Sequence, residues 1–145
     1  MKMHVCRFEE LTVFELYEIL KLRNEVFVVE QNCVYNDIDG IDPKAIHLWL
    51  EEDGSLLSYL RVFPVTDQEN TAQIGRVVSA SRGKGYGRIL LHEAVKTAEE
   101  ILHAERLVLE AQTYAVGFYE KEGFAVCSDE FLEDGIPHVK MELHL

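Results

Sequence analysis

The stretch Ile74–Leu91, IGRVVSASRGKGYGRILL, opens with a short apolar run from Ile74 to Val78. It breaks into small residues, passes through Arg82-Gly83-Lys84-Gly85-Tyr86-Gly87 and closes in a helical pattern. Glycines at 83, 85 and 87 leave the backbone without Cβ atoms where a helix must begin. Several N–H groups can then point outward together, and a helix N-terminus carries a partial positive charge, so the segment is an anion site suited to phosphate. Arg82, Lys84 and Arg88 place three cations within seven residues of a chain whose formal charge is −12. Spacing excludes two other phosphate loops. The nucleotide loop G-x-x-x-x-G-K-[ST] lacks its first glycine and its Ser or Thr, and the dinucleotide fingerprint G-x-G-x-x-G meets G-x-G-x-G here.

Upstream of this stretch, Gln73–Val78 reads as one member of an antiparallel set. The others are His47–Glu52 and Leu56–Val65, joined at the hairpin signal Asp53-Gly54. Met3–Phe8 reads as a first strand. A helix follows it, with Thr12 and Glu15 spaced as a capping box and Val13, Leu16, Tyr17, Leu20 and Phe27 recurring at helical spacing. Downstream, Gly87–His103 is amphipathic, with Leu90, Leu91, Ala94, Ala98, Ile101 and Leu102 on its buried face. Leu107-Val108-Leu109 is short and wholly apolar, as a central strand is. Tyr114–Lys121 is a short helix ended by Gly123, and Phe124–Ser128 and His138–Leu145 complete the sheet. The expected fold is therefore α+β: a single mixed, mostly antiparallel sheet with helices on both faces, and residues 1–145 forming one domain.

Composition removes several function classes. Hydrophobic content of 48% and charged content of 28% are those of a globular protein, and no run is long enough to cross a bilayer. The N-terminus has no basic-then-apolar pattern of a signal peptide. Cys6, Cys33 and Cys127 are odd in number, far apart and without C-x-x-C spacing, which points to a reducing cytoplasm. The six histidines lack ligand spacing, so no metal site is expected. The acidic balance argues against nucleic acid as partner and suits a cationic small molecule or basic peptide. A homodimer is compatible with this composition.

Arg82, Gly85 and Gly87 fill the pattern [QR]-x-x-G-x-[GA], which resembles the pyrophosphate loop of the GNAT N-acetyltransferases. About thirty residues on, Gln112-Thr113-Tyr114-Ala115-Val116-Gly117-Phe118-Tyr119-Glu120-Lys121-Glu122-Gly123-Phe124 resembles that family's second signature, N-x-x-A-x-x-x-Y-x-x-x-G-F, with Gln112 where asparagine is commoner. Leu22-Arg23, Val26 to Gln31, Cys33, Tyr35, Asp37, Asp39-Gly40, Asp42, His47-Leu48 and Glu133 to Met141 extend the likeness to the ElaA-like subgroup over nearly the full length. One departure is the connection Ser79-Ala80-Ser81, shorter than that subgroup usually shows.

The resemblance implies acetyl-coenzyme A as cosubstrate, held by Val77, Val78, Arg82, Gly83, Lys84, Gly85, Tyr86, Gly87, Arg88 and Gln112. It also implies direct attack by an amine in a ternary complex, with Tyr119 donating a proton to the departing sulfur, so Cys33 and Cys127 are not nucleophiles. That arrangement expects Phe118 to face the core and Tyr119 the cofactor. An alkylammonium of pKa about 10.4 is about one part in a thousand neutral at about pH 7.4, so a base must offset about 4 kcal/mol. Glu30, His47 and His138 are the candidates for that base, with a water relay as an alternative. The acceptor is expected between Arg23–Asp42 and Glu133–Met141, where Asp37, Asp39 and Asp42 would attract an ammonium group. The alternatives in function are an acyltransferase like the acyl-homoserine-lactone synthases and a non-catalytic acyl-coenzyme A-binding regulator.

Overall fold

A computed structural model describes residues 1–145. Eight strands form one sheet in the order β1-β2-β3-β4-β5-β8-β6, with β7 paired to β8. They are β1 (Lys2–Arg7), β2 (Ile46–Glu52), β3 (Ser55–Pro64), β4 (Thr71–Ser79), β5 (Arg106–Gln112), β6 (Ala125–Val126), β7 (Phe131–Glu133) and β8 (Ile136–His144). Every pairing is antiparallel except β4 with β5. That parallel pair needs a crossover, and α2 (Tyr86–Glu100) provides it. The other helices are α1 (Val13–Arg23) and α3 (Val116–Glu120). The observed sheet is thus the mixed, mostly antiparallel one that the element order implied.

Strand alternation sends successive side chains to opposite faces, and each face has its own core. Leu48, Leu50, Leu60 and Val62 pack with Leu90, Leu91, Ala94 and Ala98 of α2 and with Tyr119 and Phe124 around α3. Trp49, Tyr59 and Val78 pack with Ile19 and Leu22 of α1. The β2–β3 turn is the expected one: Asp53 and Gly54 both take positive φ, the backbone of a two-residue hairpin loop.

Local signals decided the ends of α1 but not its buried face. The Thr12 hydroxyl accepts from the Glu15 amide at 3.1 Å and the Glu15 carboxylate accepts from the Thr12 amide at 2.9 Å, a closed capping box. Thr12→Ala is therefore expected to cost about 1 kcal/mol, read as a lower denaturant midpoint at unchanged slope. The buried residues are Ile19, Leu22 and Arg23, whereas Val13, Phe14 and Tyr17 are exposed. The stripe read from spacing misplaces the contact face because Arg23, a charged residue, is one of the residues drawn inside. The helix then continues as a π-helical segment, Asn24–Glu30, whose Val26 and Phe27 turn toward the sheet.

The closing segment also differs from expectation. The turn lies at Asp134-Gly135, both at positive φ, and Ile136-Pro137-His138 already belongs to β8. A short strand, β7, stands before it and pairs Phe131 with His138 and Glu133 with Ile136.

Candidate active site

The site begins with a defect in β4. Tyr59 pairs with Val78 and Arg61 with Gly75, so Arg76 and Val77 together face Leu60 alone: a β-bulge. Arg76 takes φ +53°, unusual for a residue with a side chain. The bulge reverses the alternation, so Ile74 packs on the α2 face and Val78 on the α1 face. It also ends the parallel ladder early. β4 and β5 pair only from Thr71 to Gln73 and from Arg106 to Val108. Beyond these residues the strands fork.

A cavity of about 950 Å³ fills the fork, and its lining comes from both faces of the sheet. On the α2 side stand Gly83, Gly85, Gly87, Phe118 and Tyr119; on the α1 side stand Phe27, Tyr35, Arg61, Glu110 and His138. Residues 74 to 79 of β4 line it without a β5 partner, so strand groups on that edge are free to pair with a bound chain.

On the α2 side the loop after β4 behaves as its glycines suggested. Gly83 and Gly85 take φ +77° and +79°, and a Cβ built on either would meet nothing within 4 Å, so both backbones face open space. Gly87 lies within α2, and there a Cβ would stand 3.4 Å from the Phe118 ring, which keeps the helix start close to α3. Val77, Val78, Arg82, Lys84, Tyr86, Arg88 and Gln112 line the cavity as well. Arg82 is ion-paired with Glu30 at 3.2 Å, but both are well exposed, so the pair is worth at most about 1 kcal/mol. Gln112 lies at the end of β5 opposite His138.

Tyr119 is 7% exposed and belongs to the core, while Phe118 is only half-buried. This reverses the expected division between the two rings. Both nevertheless line the cavity, because α3 lays them edge to face across its rim. Burial, and then the charge of Tyr114, push the Tyr119 hydroxyl well above its ordinary pKa, so it is a protonated donor at neutral pH.

On the α1 side the three aspartates are not a free acidic loop. Arg23 donates to Asp37 and Asp42 at 3.0 and 2.8 Å, and Arg61 to Asp39 and Asp42 at 2.6 and 2.9 Å; Arg76 donates to Asp39 at 3.2 Å and its Nε stands 2.9 Å from the Asp37 carboxylate as an ion pair. The Tyr35 hydroxyl donates to Asp37, and its ring lies beneath the Arg76 guanidinium. Three cations neutralise three carboxylates, which leaves these aspartates no charge for an ammonium or a calcium ion. Their role is to fix the loop after the π-helical segment against the bulge.

The three candidate bases separate. His47 is fully buried away from the cavity: one ring nitrogen meets the Tyr59 hydroxyl at 2.7 Å and the other the Asp42 carbonyl at 2.9 Å. Burial first, then the neighbouring arginines against Asp42, hold it below its usual pKa and therefore neutral. Glu30 is outside the lining and engaged by Arg82. His138 lines the cavity, donates from Nδ1 to the Ile136 carbonyl at 2.7 Å and turns Nε2 toward Glu133 at 3.5 Å.

Three charged lining residues, Arg61, Arg76 and Glu110, had no role in the sequence reading, and Glu133 stood there only as the start of the segment expected to flank the acceptor. A signal existed for two. Arg61 interrupts Leu60-Arg61-Val62 and Glu110 interrupts Leu109-Glu110-Ala111, charges inside strands that are otherwise apolar. Burial, then a hydrogen bond and repulsion from Glu110, push the Glu133 carboxyl up to about 7, with Asp134 adding to the rise and Arg76 opposing it.

Residues 14–145 match the family model of the acetyltransferase (GNAT) domain. A UPF0039 protein of Schizosaccharomyces pombe is 47% identical over 142 residues, covering 95% of this chain and 93% of that protein. The crystal structure of Escherichia coli ElaA superposes with a TM-score of 0.91 at 34% identity, over 97% of both chains. That of an acyl-CoA N-acyltransferase from Pseudomonas aeruginosa gives the same score at 39% identity, over 98% of this chain and 99% of the other. At 14% identity a CoA-dependent acyl-homoserine lactone synthase, solved with SAM and isopentyl-CoA, shares the fold with a TM-score of 0.79, over 98% of this chain and 82% of the other. With both signatures at the forked cavity and full-length relatives of this identity, the chain belongs to the GNAT acetyltransferases, in their ElaA-like branch.

Proposed function

We propose that the protein transfers an acetyl group from acetyl-coenzyme A to a primary amine by direct attack in a ternary complex. The observation that carries this reading is a single cavity passing between β4 and β5, with a glycine-rich helix start at one end and carboxylates at the other. Amides of Gly83 to Gly87, with Arg82, Lys84 and Arg88, would take the pyrophosphate. The unpaired edge of β4 at Val77 and Val78 would pair with the pantetheine amides, which brings the thioester into the fork beside Tyr119. Tyr119 would then donate to the leaving sulfur. Of the three bases considered from the sequence, only His138 reaches the cavity, where its Nε2 faces Glu133. Three free thiols suit work in a reducing cytoplasm.

Thiol release from acetyl-coenzyme A, screened against amines, amino acids and basic peptides, tests the reading. Acceptor-dependent release supports it. Cofactor binding without release under any acceptor would favour the regulator instead, and homoserine lactone formation from an acyl donor and SAM would favour the synthase. Gly85→Val is expected to weaken acetyl-coenzyme A binding about tenfold to a thousandfold, because a β-branched residue resists the left-handed backbone that aims the loop amides. Calorimetry checks this. Unchanged affinity would remove the loop from the cofactor site.

A further inference from the structure

We propose that Glu133, paired with Glu110 across the α1-side mouth of the cavity, binds the acceptor's ammonium head and takes its proton, and that the acceptor is an amine without an adjacent carboxylate. This deepens the acetyl-transfer reading and rests on it. The first support is placement. Glu110 lies on β5, opposite Lys140 of β8; Gln112 lies opposite His138, and His138 opposite Phe131 of β7. Alternation puts Glu110, Gln112 and His138 on one face, and the short β7 that the sequence hid brings Glu133 to them. The Cys33 thiol contacts the Asp134 carbonyl at 3.9 Å, so the front loop and the β7–β8 turn meet around this mouth.

The second support is what the charges leave free. Glu133 and Glu110 line the same mouth, and burial and then Glu110 raise the Glu133 carboxyl to about 7, so one proton is readily held between the two acids. The charged or titratable groups around it are Glu110 on β5, Asp134 on the turn, His138 and Lys140 on β8, and Arg76 on β4. Arg76 is already committed to Asp37 and Asp39, and Arg61 to Asp39 and Asp42. A carboxylate on the acceptor would thus find acids and no free cation among these arginines, whereas an ammonium would replace the shared proton. Phe27, Ile136 and the exposed Tyr114 ring supply apolar lining for its body.

The third support is independent of the acids. Tyr119 lies 93% buried on the α2 side of the same cavity, its hydroxyl held protonated, so a nitrogen docked at Glu133 enters a fork that already contains a proton donor. In the reaction, the ammonium gives one proton to Glu133 and its freed lone pair attacks the thioester carbonyl. The C–N bond forms, the C–S bond breaks, and the sulfur takes the Tyr119 proton. The second nitrogen proton, lost as the amide forms, restores Tyr119, and the proton on Glu133 leaves to solvent.

The test compares 2-phenylethylamine with phenylalanine, which differ by the carboxylate alone. With acetyl-coenzyme A, kcat/KM for the amine should exceed that for the amino acid at least a hundredfold. It should rise with pH through an inflection near 7, because only the ionised carboxylate accepts the proton. Glu133→Gln should lower it at least a hundredfold and abolish that inflection, and Glu110→Gln should move the inflection to lower pH. A second readout needs no turnover. Calorimetric binding of 2-phenylethylammonium to the protein–coenzyme A complex at pH 6.5, in buffers of different ionisation enthalpy, should show proton release that Glu133→Gln eliminates. Binding without proton release, or full transfer by Glu133→Gln, overturns the proposal. If the parent protein transfers to no amine yet releases protons on binding the cation, acetyl transfer is overturned and the ammonium site stands.

Discussion

Tyr119→Phe is expected to lower turnover about tenfold to ten-thousandfold, about 1.4 to 5.5 kcal/mol of transition-state stabilisation, with acetyl-coenzyme A affinity within about twofold of the parent. The prediction rests on one atom. The ring sits in the core between Phe118 and Phe124, edge to face with both, and phenylalanine keeps those contacts. The hydroxyl it removes is the buried, protonated group at the fork. A residue that merely filled the core would lose little by this change, so kcat separates the two roles. Rapid-quench measurement of the first turnover, beside calorimetry of cofactor binding, decides it. Unaltered turnover at saturating amine would assign Tyr119 to packing alone.

Arg23→Met is expected to destabilise the fold by about 3 to 5 kcal/mol, because it removes one partner from a buried ion network and keeps the side-chain volume. Arg23 is fully buried, and its loss leaves Asp42 with Arg61 alone and Asp37 with Arg76 and the Tyr35 hydroxyl. For a domain of this size the melting temperature should fall by about 10 °C. The pH dependence carries the signature. Burial alone would raise the Asp42 carboxyl, but the hydrogen bond and charge of Arg23, with those of Arg61, hold it below the usual carboxylate range. A depressed carboxylate contributes stability above its unfolded pKa and loses it as pH falls through the folded value. The difference between Arg23→Met and the parent should therefore be full at neutral pH and shrink as pH falls below about 4. A constant difference across that range would mean that packing, not charge, holds Arg23 in place.

These effects mark the boundary between what short segments encode and what the assembled chain decides. Local rules placed the α1 cap at Thr12, the hairpin at Asp53-Gly54, the apolar β5 run and the glycine start of α2, because each depends on neighbours within a few residues. Both family signatures lie within such segments, so the sheet class and the family were legible. The acceptor side was not. Asp37, Asp39 and Asp42 looked like a free acidic loop, because their partners Arg23, Arg61 and Arg76 stand on three separate elements. His47 looked available until Tyr59 and the Asp42 carbonyl closed over it. Glu133 and Glu110, 23 positions apart in sequence, meet only because β8 lies between β5 and β7.

The sequence by itself determined every strand but β7, the three α-helices, their order and the phosphate-type loop, since backbone conformation and hydrophobic periodicity are properties of short segments. The tertiary structure alone decided which charges cancel, which ring is buried and which carboxyl remains able to take a proton. Charge and desolvation depend on distance through space, and the β4 bulge and the fork it opens set those distances.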